Sequence, residues 1–126
     1  MPPTVLIVED HDALRASLRD WLKAVFVGCR WLEAASGEEA VVVAGAQFPN
    51  LVLMDVGLPK MNGIHATAQI KGVAPLAQVI IVTVHEAPEY RLDAAAAGAS
   101  GYVVKRNITK DLIPLMQRLL CTTGEL

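Results

Sequence analysis

The stretch NLVLMDVGLPKMNG, Asn50 to Gly63, decides how this sequence is read. Four apolar residues, Leu51 to Met54, run straight into Asp55, and a glycine, a proline and an Asn-Gly pair follow. An apolar run without polar alternation is what a strand covered on both faces requires. The Gly, Pro and Asn-Gly residues after it are loop and turn formers. A buried strand therefore ends on a carboxylate at the mouth of a loop, and that carboxylate needs a reason.

The same punctuation recurs on both sides. Thr4 to Val8 (TVLIV) is a β-branched run that stops at Glu9. Leu14, Leu18, Trp21, Leu22 and Val25 then fall on one face of a helix spanning Asp12 to Val27, with Asp12 as its N-cap. A short strand covers Cys29 to Ala34. Ser36 and Glu39 form a capping box that opens a helix to Gln47, ended by Pro49 and Asn50. Asn62-Gly63 starts a helix that fails by Pro75, and Gln78 to Thr83 (QVIIVT) is the next strand. Pro88 suits the first turn of the helix that follows, which stops at Gly98. GYVVK is a fifth strand, and Thr109 can cap a last helix ending near Thr122. Pro114 conflicts with the interior of that helix, so the helix starts late, near Ile113, or opens with a distorted turn.

Five β/α pairs in strict alternation predict an α/β fold, a doubly wound (βα)5 sandwich with helices on both faces of a five-stranded parallel sheet. The 126 residues suit one domain, residues 1–126, with 121–126 as the start of a linker or tail. Hydrophobic residues at 53% supply a core without staples, and charged residues at 19% argue against disorder. A net charge of -2 gives no electrostatic reason to expect nucleic acid or an anionic membrane as partner. Cys29 and Cys121 sit in no metal-ligand or redox spacing. No apolar run reaches membrane-spanning length and the N-terminus lacks a signal-peptide pattern, so a cytoplasmic location is expected.

In an open parallel sheet, ligands bind beyond the carboxyl ends of the strands. Those ends carry Glu9 and Asp10, Asp55, Thr83 and Lys105. Taken singly, each is an ordinary cap or solvated residue. Together they match one chemistry. Two carboxylates about 5 Å apart repel by roughly 3 kcal/mol at an effective dielectric near 20, so such a cluster asks for a cation. Oxygen ligands suit Mg2+. A lysine and a threonine hydroxyl beside it would stabilise charge on a transferring phosphoryl group, with a carboxylate as nucleophile.

With those positions placed, the sequence resembles the receiver domain of bacterial two-component response regulators. The resemblance rests on VLIVEDHDALRASL, LVLMDVGLPKMNGI, VIIVTVHE and AGASGYVVKR, and covers about Thr4 to Leu120. It implies the strand order 2-1-3-4-5. It implies Asp55 as phosphoacceptor, Asp10 as a direct Mg2+ ligand, Glu9 supporting the ion through water, and the Gly57 backbone carbonyl as a further ligand. It makes Thr83 the switch hydroxyl, Lys105 the partner of Asp55, and Tyr102, three residues before Lys105, the aromatic switch. Val84 stands where many receivers carry alanine and would narrow access to Asp55. His85, two residues past Thr83, is placed to tune the phosphoryl lifetime. The resemblance implies a switch with self-catalysed phosphotransfer and autodephosphorylation, more than an enzyme, partnered by a sensor histidine kinase.

GASGYVVKRNITKDLI and LPKMNGIHAT look most like the LuxR-type (NarL/FixJ-like) subgroup. That likeness implies a homodimer on phosphorylation and transcriptional output through a fused C-terminal helix-turn-helix. The chain shown holds no such element, so it is either a stand-alone receiver or part of a longer regulator. Arg15, Arg19 and Lys23 form a stripe on the first helix, expected to be a solvated face or else a dock for an acidic partner or a dimer mate. Two other function classes compete. A pseudo-receiver that never takes phosphate would usually lose an acid, Thr or Lys position, and all are present. A haloacid-dehalogenase-type phosphatase needs a second acid where Gly57 stands.

Overall fold

The computed structural model describes residues 2–121. The elements run β1 (Thr4–Val8), α1 (Asp12–Val25), β2 (Arg30–Ala34), α2 (Gly37–Gln47), β3 (Leu51–Met54) and α3 (Gly63–Val73). They continue with β4 (Gln78–Thr83), α4 (Pro88–Ala96), β5 (Gly101–Val104), a 3-10 turn (Lys105–Asn107) and α5 (Ile108–Cys121). All neighbouring strands pair parallel, in the order β2-β1-β3-β4-β5. The α/β alternation and the strand order are as expected. Apart from Cys121, the tail assigned to residues 121–126 lies outside the described residues.

The sheet separates two apolar layers because successive side chains on a strand point to opposite faces. Leu6, Val8, Val52, Met54, Val79 and Ile81 pack with Ala40, Ala44, Ala66, Ile70 and Ala94 of α2, α3 and α4. Val5, Ile7, Leu51, Leu53, Ile80 and Val82 pack with Leu22 of α1 and Leu112 and Met116 of α5. β1 and β3 are buried along their whole length. β2 is an edge strand and begins exposed at Arg30. With both faces covered, the inner strands β1 and β3 can display polar chemistry only at their ends. Among the described residues no helix is long and apolar enough to cross a membrane.

Local details correct several expectations. His11, not Asp12, is the N-cap of α1: its Nδ1 accepts from the Leu14 amide at 3.2 Å. Asp12 is the first helical residue, where its charge suits the positive end of the helix. α1 ends at Val25 rather than Val27, and β2 starts at Arg30 rather than Cys29. Half of the capping box is present: the Glu39 amide donates to Ser36 Oγ at 3.1 Å. Glu39 Oε1 reaches past Ser36 to accept from the Ala35 amide at 2.6 Å. Thr109 caps nothing, because α5 already begins at Ile108. Neither reading of Pro114 holds: α5 starts at Ile108, not near Ile113, and runs as α-helix through the proline, the 3-10 turn lying upstream at Lys105–Asn107.

Candidate functional site

Where β1 leaves the ladder, the Glu9 amide makes a last bond to the Ala34 carbonyl at 3.1 Å, and the Glu9 side chain is held inside, 6% exposed. β3 ends one strand over and delivers Asp55. From the far side, the chain after β5 brings Lys105 between them. Its Nζ lies 2.9 Å from Glu9 Oε1 and 3.1 Å from Asp55 Oδ2. Two amides hold the remaining oxygens: His11 donates to Glu9 Oε2 and Gly57 to Asp55 Oδ1, each at 3.2 Å. Carboxylate oxygens of Glu9, Asp10 and Asp55 lie within 4.8 Å of one another. Asp10 is exposed, and among the described residues its carboxylate takes no hydrogen bond.

Charges in this pocket do not balance. Burial pushes Glu9 above the usual carboxylate range. The Asp55 charge adds to that, and the hydrogen bonds from Lys105 and the His11 amide do not offset it. Burial also works against the Lys105 ammonium, but hydrogen bonds and charge from Glu9 and Asp55 outweigh it and raise Lys105. Among the described residues Lys105 pairs with two of the three acids and Asp10 has no cationic partner, so the surplus negative charge favours a second cation. A donor set made only of oxygens suits a hard divalent ion.

The loop after β3 is braced from below by Gly63. A Cβ there would collide with the Asp55 carbonyl oxygen, and would lie 2.7 Å from the carbonyl carbon and 2.9 Å from Met54 Cγ. Only a hydrogen lets the first turn of α3 press against the Asp55 peptide. The Gly63 amide also donates to the Val56 carbonyl at 3.0 Å. Asn62-Gly63 reads in sequence only as a helix start, and Asn62 is indeed the N-cap. Its second role could not be seen without the tertiary contact.

Thr83 ends β4 fully buried. Its hydroxyl accepts from the His85 amide at 3.3 Å rather than bonding Asp55. Tyr102 donates its hydroxyl to the His85 carbonyl at 2.8 Å, so both ends of the His85 backbone are tied to residues singled out in sequence. The His85 ring stacks on Tyr90 with centroids 4.5 Å apart. Its Nε2 lies 3.9 Å from where a Cβ on Gly57 would stand, which places His85 at the site edge. Val84 is 65% exposed and is not among the residues lining the cavity beside Asp55. That cavity, about 140 Å³, is walled by Leu14, Leu18, Leu53, Val82 and Ile108.

The basic stripe on α1 is only partly free. Arg15 Nε meets Glu33 Oε1 at 3.0 Å and Arg19 meets Glu33 Oε2 at 2.7 Å. Arg15 also reaches the Glu9 carbonyl at 2.8 Å. Sequence reasoning missed Glu33 and this contact, because Glu33 lies 18 residues from Arg15 and on another element.

A doubly wound sheet with an acid pocket and a lysine at its carboxyl edge defines a class of α/β proteins with an anionic, cation-seeking site. Within that class, residues 5–117 match the family model for the response regulator receiver domain, and the chain belongs to that family. It is 36% identical over 122 residues to the transcriptional regulatory protein PdtaR of Mycobacterium tuberculosis, covering 93% of this chain and 56% of that one. The chain thus spans about half the length of the curated relatives it matches. A solved two-component response regulator of the LuxR family from Aurantimonas sp. has a TM-score of 0.89 at 31% identity, covering 97% of this chain and 87% of that one. The receiver domain of a sensor histidine kinase from Pseudomonas aeruginosa, solved with a magnesium ion coordinated in its active-site cleft, has a TM-score of 0.82 at 26% identity, covering 94% and 98%.

Proposed function

We propose that this chain is a phosphorylation-operated switch that takes a phosphoryl group on Asp55 from a phosphohistidine of a sensor histidine kinase. The observation that carries this is Lys105 Nζ set between Glu9 and Asp55, with carboxylate oxygens of Glu9, Asp10 and Asp55 within 4.8 Å of one another. The all-oxygen donor set fits Mg2+, which the Asp10 and Asp55 carboxylates and the Gly57 carbonyl would hold, with Glu9 supporting the site. When bound, the ion supplies positive charge for the phosphoryl oxygens.

The residues of the chain do the rest. Asp55 is kept from rotating by Lys105 and the Gly57 amide, so one oxygen can attack phosphorus. The new O–P bond forms as the N–P bond to the kinase imidazole breaks, and the imidazole leaves with the electron pair. Lys105 pairs with a phosphoryl oxygen. Thr83 gives up the His85 amide and donates its hydroxyl to another oxygen. That loosens the loop after β4, which Tyr102 holds through the His85 carbonyl, and Tyr102 turns inward. A local charge event thus biases a two-state surface. His85 at the site edge sets the lifetime of the phosphoryl group. Single-domain residues 1–126 would act in the cytoplasm, pairing into a homodimer or driving a C-terminal DNA-binding domain to regulate transcription.

Intact-mass analysis after incubation with Mg2+ and acetyl phosphate tests this. One added phosphoryl group in the parent and none in Asp55→Asn is the expected result. No gain in the parent, with Mg2+ binding present, would leave a phosphate-independent interaction module as the better description.

A further inference from the structure

Two of the three clustered acids are fixed by contacts to their carboxylates, and the third is not. Lys105 and the His11 amide hold Glu9, and Lys105 and the Gly57 amide hold Asp55. Asp10, exposed and without a side-chain partner among the described residues, can be placed only by its backbone. That backbone is gripped from one side. Arg15 Nη1 donates to the Glu9 carbonyl at 2.8 Å. The Glu9 carbonyl and the Asp10 nitrogen and Cα belong to one planar peptide unit, so pinning the oxygen fixes the direction in which Asp10 leaves the strand.

Arg15 is itself held. Its Nε meets Glu33 Oε1 at 3.0 Å, and its Nη2 meets Asp12 Oδ1 at 2.9 Å. The Glu33 carboxylate is oriented in turn by Arg19 at 2.7 Å. The guanidinium therefore meets acceptors on three sides, the Glu9 carbonyl and the Arg19-held Glu33 carboxylate among them, through a planar fork that lysine cannot reproduce. Its side chain is only 17% exposed, so water competes poorly for the carbonyl.

We propose that Arg15 is a positioning residue for the cation site, holding the Glu9–Asp10 peptide so that the Asp10 carboxylate stands beside those of Glu9 and Asp55. This rests on the reading of that cluster as a Mg2+ site. Geometry and simple electrostatics give opposite signs here. A nearby positive charge repels a divalent ion, so if charge alone mattered, removing Arg15 would tighten Mg2+ binding. If position matters, removing it loosens binding, and outer-shell contacts of this kind are worth roughly 10–100-fold in metal affinity.

The test is a Mg2+ titration of the full chain, followed by amide chemical shifts, on the parent, Arg15→Met, Arg15→Lys and Arg19→Met. Arg19 shares Glu33 but does not touch Glu9, so it controls for general loss of the ion-pair network. The expected result is a Kd raised about tenfold in R15M, partly restored in R15K and within twofold of the parent in R19M. An unchanged or tighter Kd in R15M, or an equal loss in R19M, overturns the proposal. If R15M does not fold, R15K decides it: a Kd equal to the parent overturns the proposal, and a severalfold rise supports it. A parent with no saturable Mg2+ binding overturns the metal-site reading and this one with it. A parent that binds beside an R15M that binds equally well overturns this one alone.

Discussion

Two glycines flank the loop that carries Asp55, and the structure assigns them opposite tolerance to a methyl group. At Gly63, an added Cβ meets backbone: the Asp55 carbonyl oxygen and, at 2.7 Å, its carbon. Neither atom can move by changing a rotamer. Overpacking of this kind costs about 1–3 kcal/mol, and a backbone-on-backbone clash belongs at the upper end. Alanine returns at most about 1 kcal/mol through better helix propensity at the start of α3. Gly63→Ala should therefore destabilise the protein by about 2 kcal/mol net. At an m-value of about 2 kcal/mol/M, the urea midpoint falls by roughly 1 M. The displaced Asp55 peptide should also slow phosphorylation by acetyl phosphate, since misplacement by about 1 Å can cost 100-fold in rate. At Gly57, by contrast, a Cβ meets only His85 Nε2 at 3.9 Å, an ordinary contact. Gly57→Ala should leave the midpoint within about 0.3 M of the parent, or raise it slightly by restricting the unfolded chain. A G63A protein as stable as the parent, or a G57A protein as damaged as G63A, would refute the reasoning.

Glu33 gives a pH prediction. Hydrogen bonds from Arg19 and then Arg15, against the opposing effect of burial, hold its carboxyl below the ordinary value of 4.5. The stability this provides is fully present above 4.5 and is lost as pH falls through the lower folded value. Glu33→Gln should cost about 1 kcal/mol at pH 7 and flatten the acid limb of a stability-versus-pH curve; an unchanged acid limb would refute the linkage. Tyr102→Phe removes the bond to the His85 carbonyl and should cost about 1 kcal/mol, with faster hydrogen exchange in the loop after β4 as the readout. Mg2+ at 100 times its Kd should stabilise the parent by about 2.7 kcal/mol in thermal melts, an effect removed by chelator and largely absent in Asp10→Asn.

How much was legible in advance differs by kind of feature. Parallel strands buried on both faces write themselves as unbroken apolar runs, so Leu51–Met54 and Gln78–Thr83 have the bounds their residues suggest. Helix ends were less secure, because neighbouring polar residues compete for the same cap. His11 and Asp12 both suit the start of α1, and the winner is the one whose Nδ1 reaches the Leu14 amide. The onset of α5 was missed for a related reason. A 3-10 turn starting at Lys105 carries the chain into the helix before Thr109 can cap it.

The sequence by itself determined the strand and helix alternation, and with it a sheet whose carboxyl edge collects Glu9, Asp10, Asp55, Thr83 and Lys105. Periodicity and turn chemistry act over a few residues and can be read in a short window. Tertiary structure alone decided that Lys105 divides itself between Glu9, 96 residues away, and Asp55, 50 away. It alone set Gly63 against the Asp55 carbonyl, tied both ends of His85 to Thr83 and Tyr102, and passed Glu33 through Arg15 to the Glu9 peptide. Those contacts join residues from different strand ends, and they exist only once the two packed layers fix how far apart the strand ends stand.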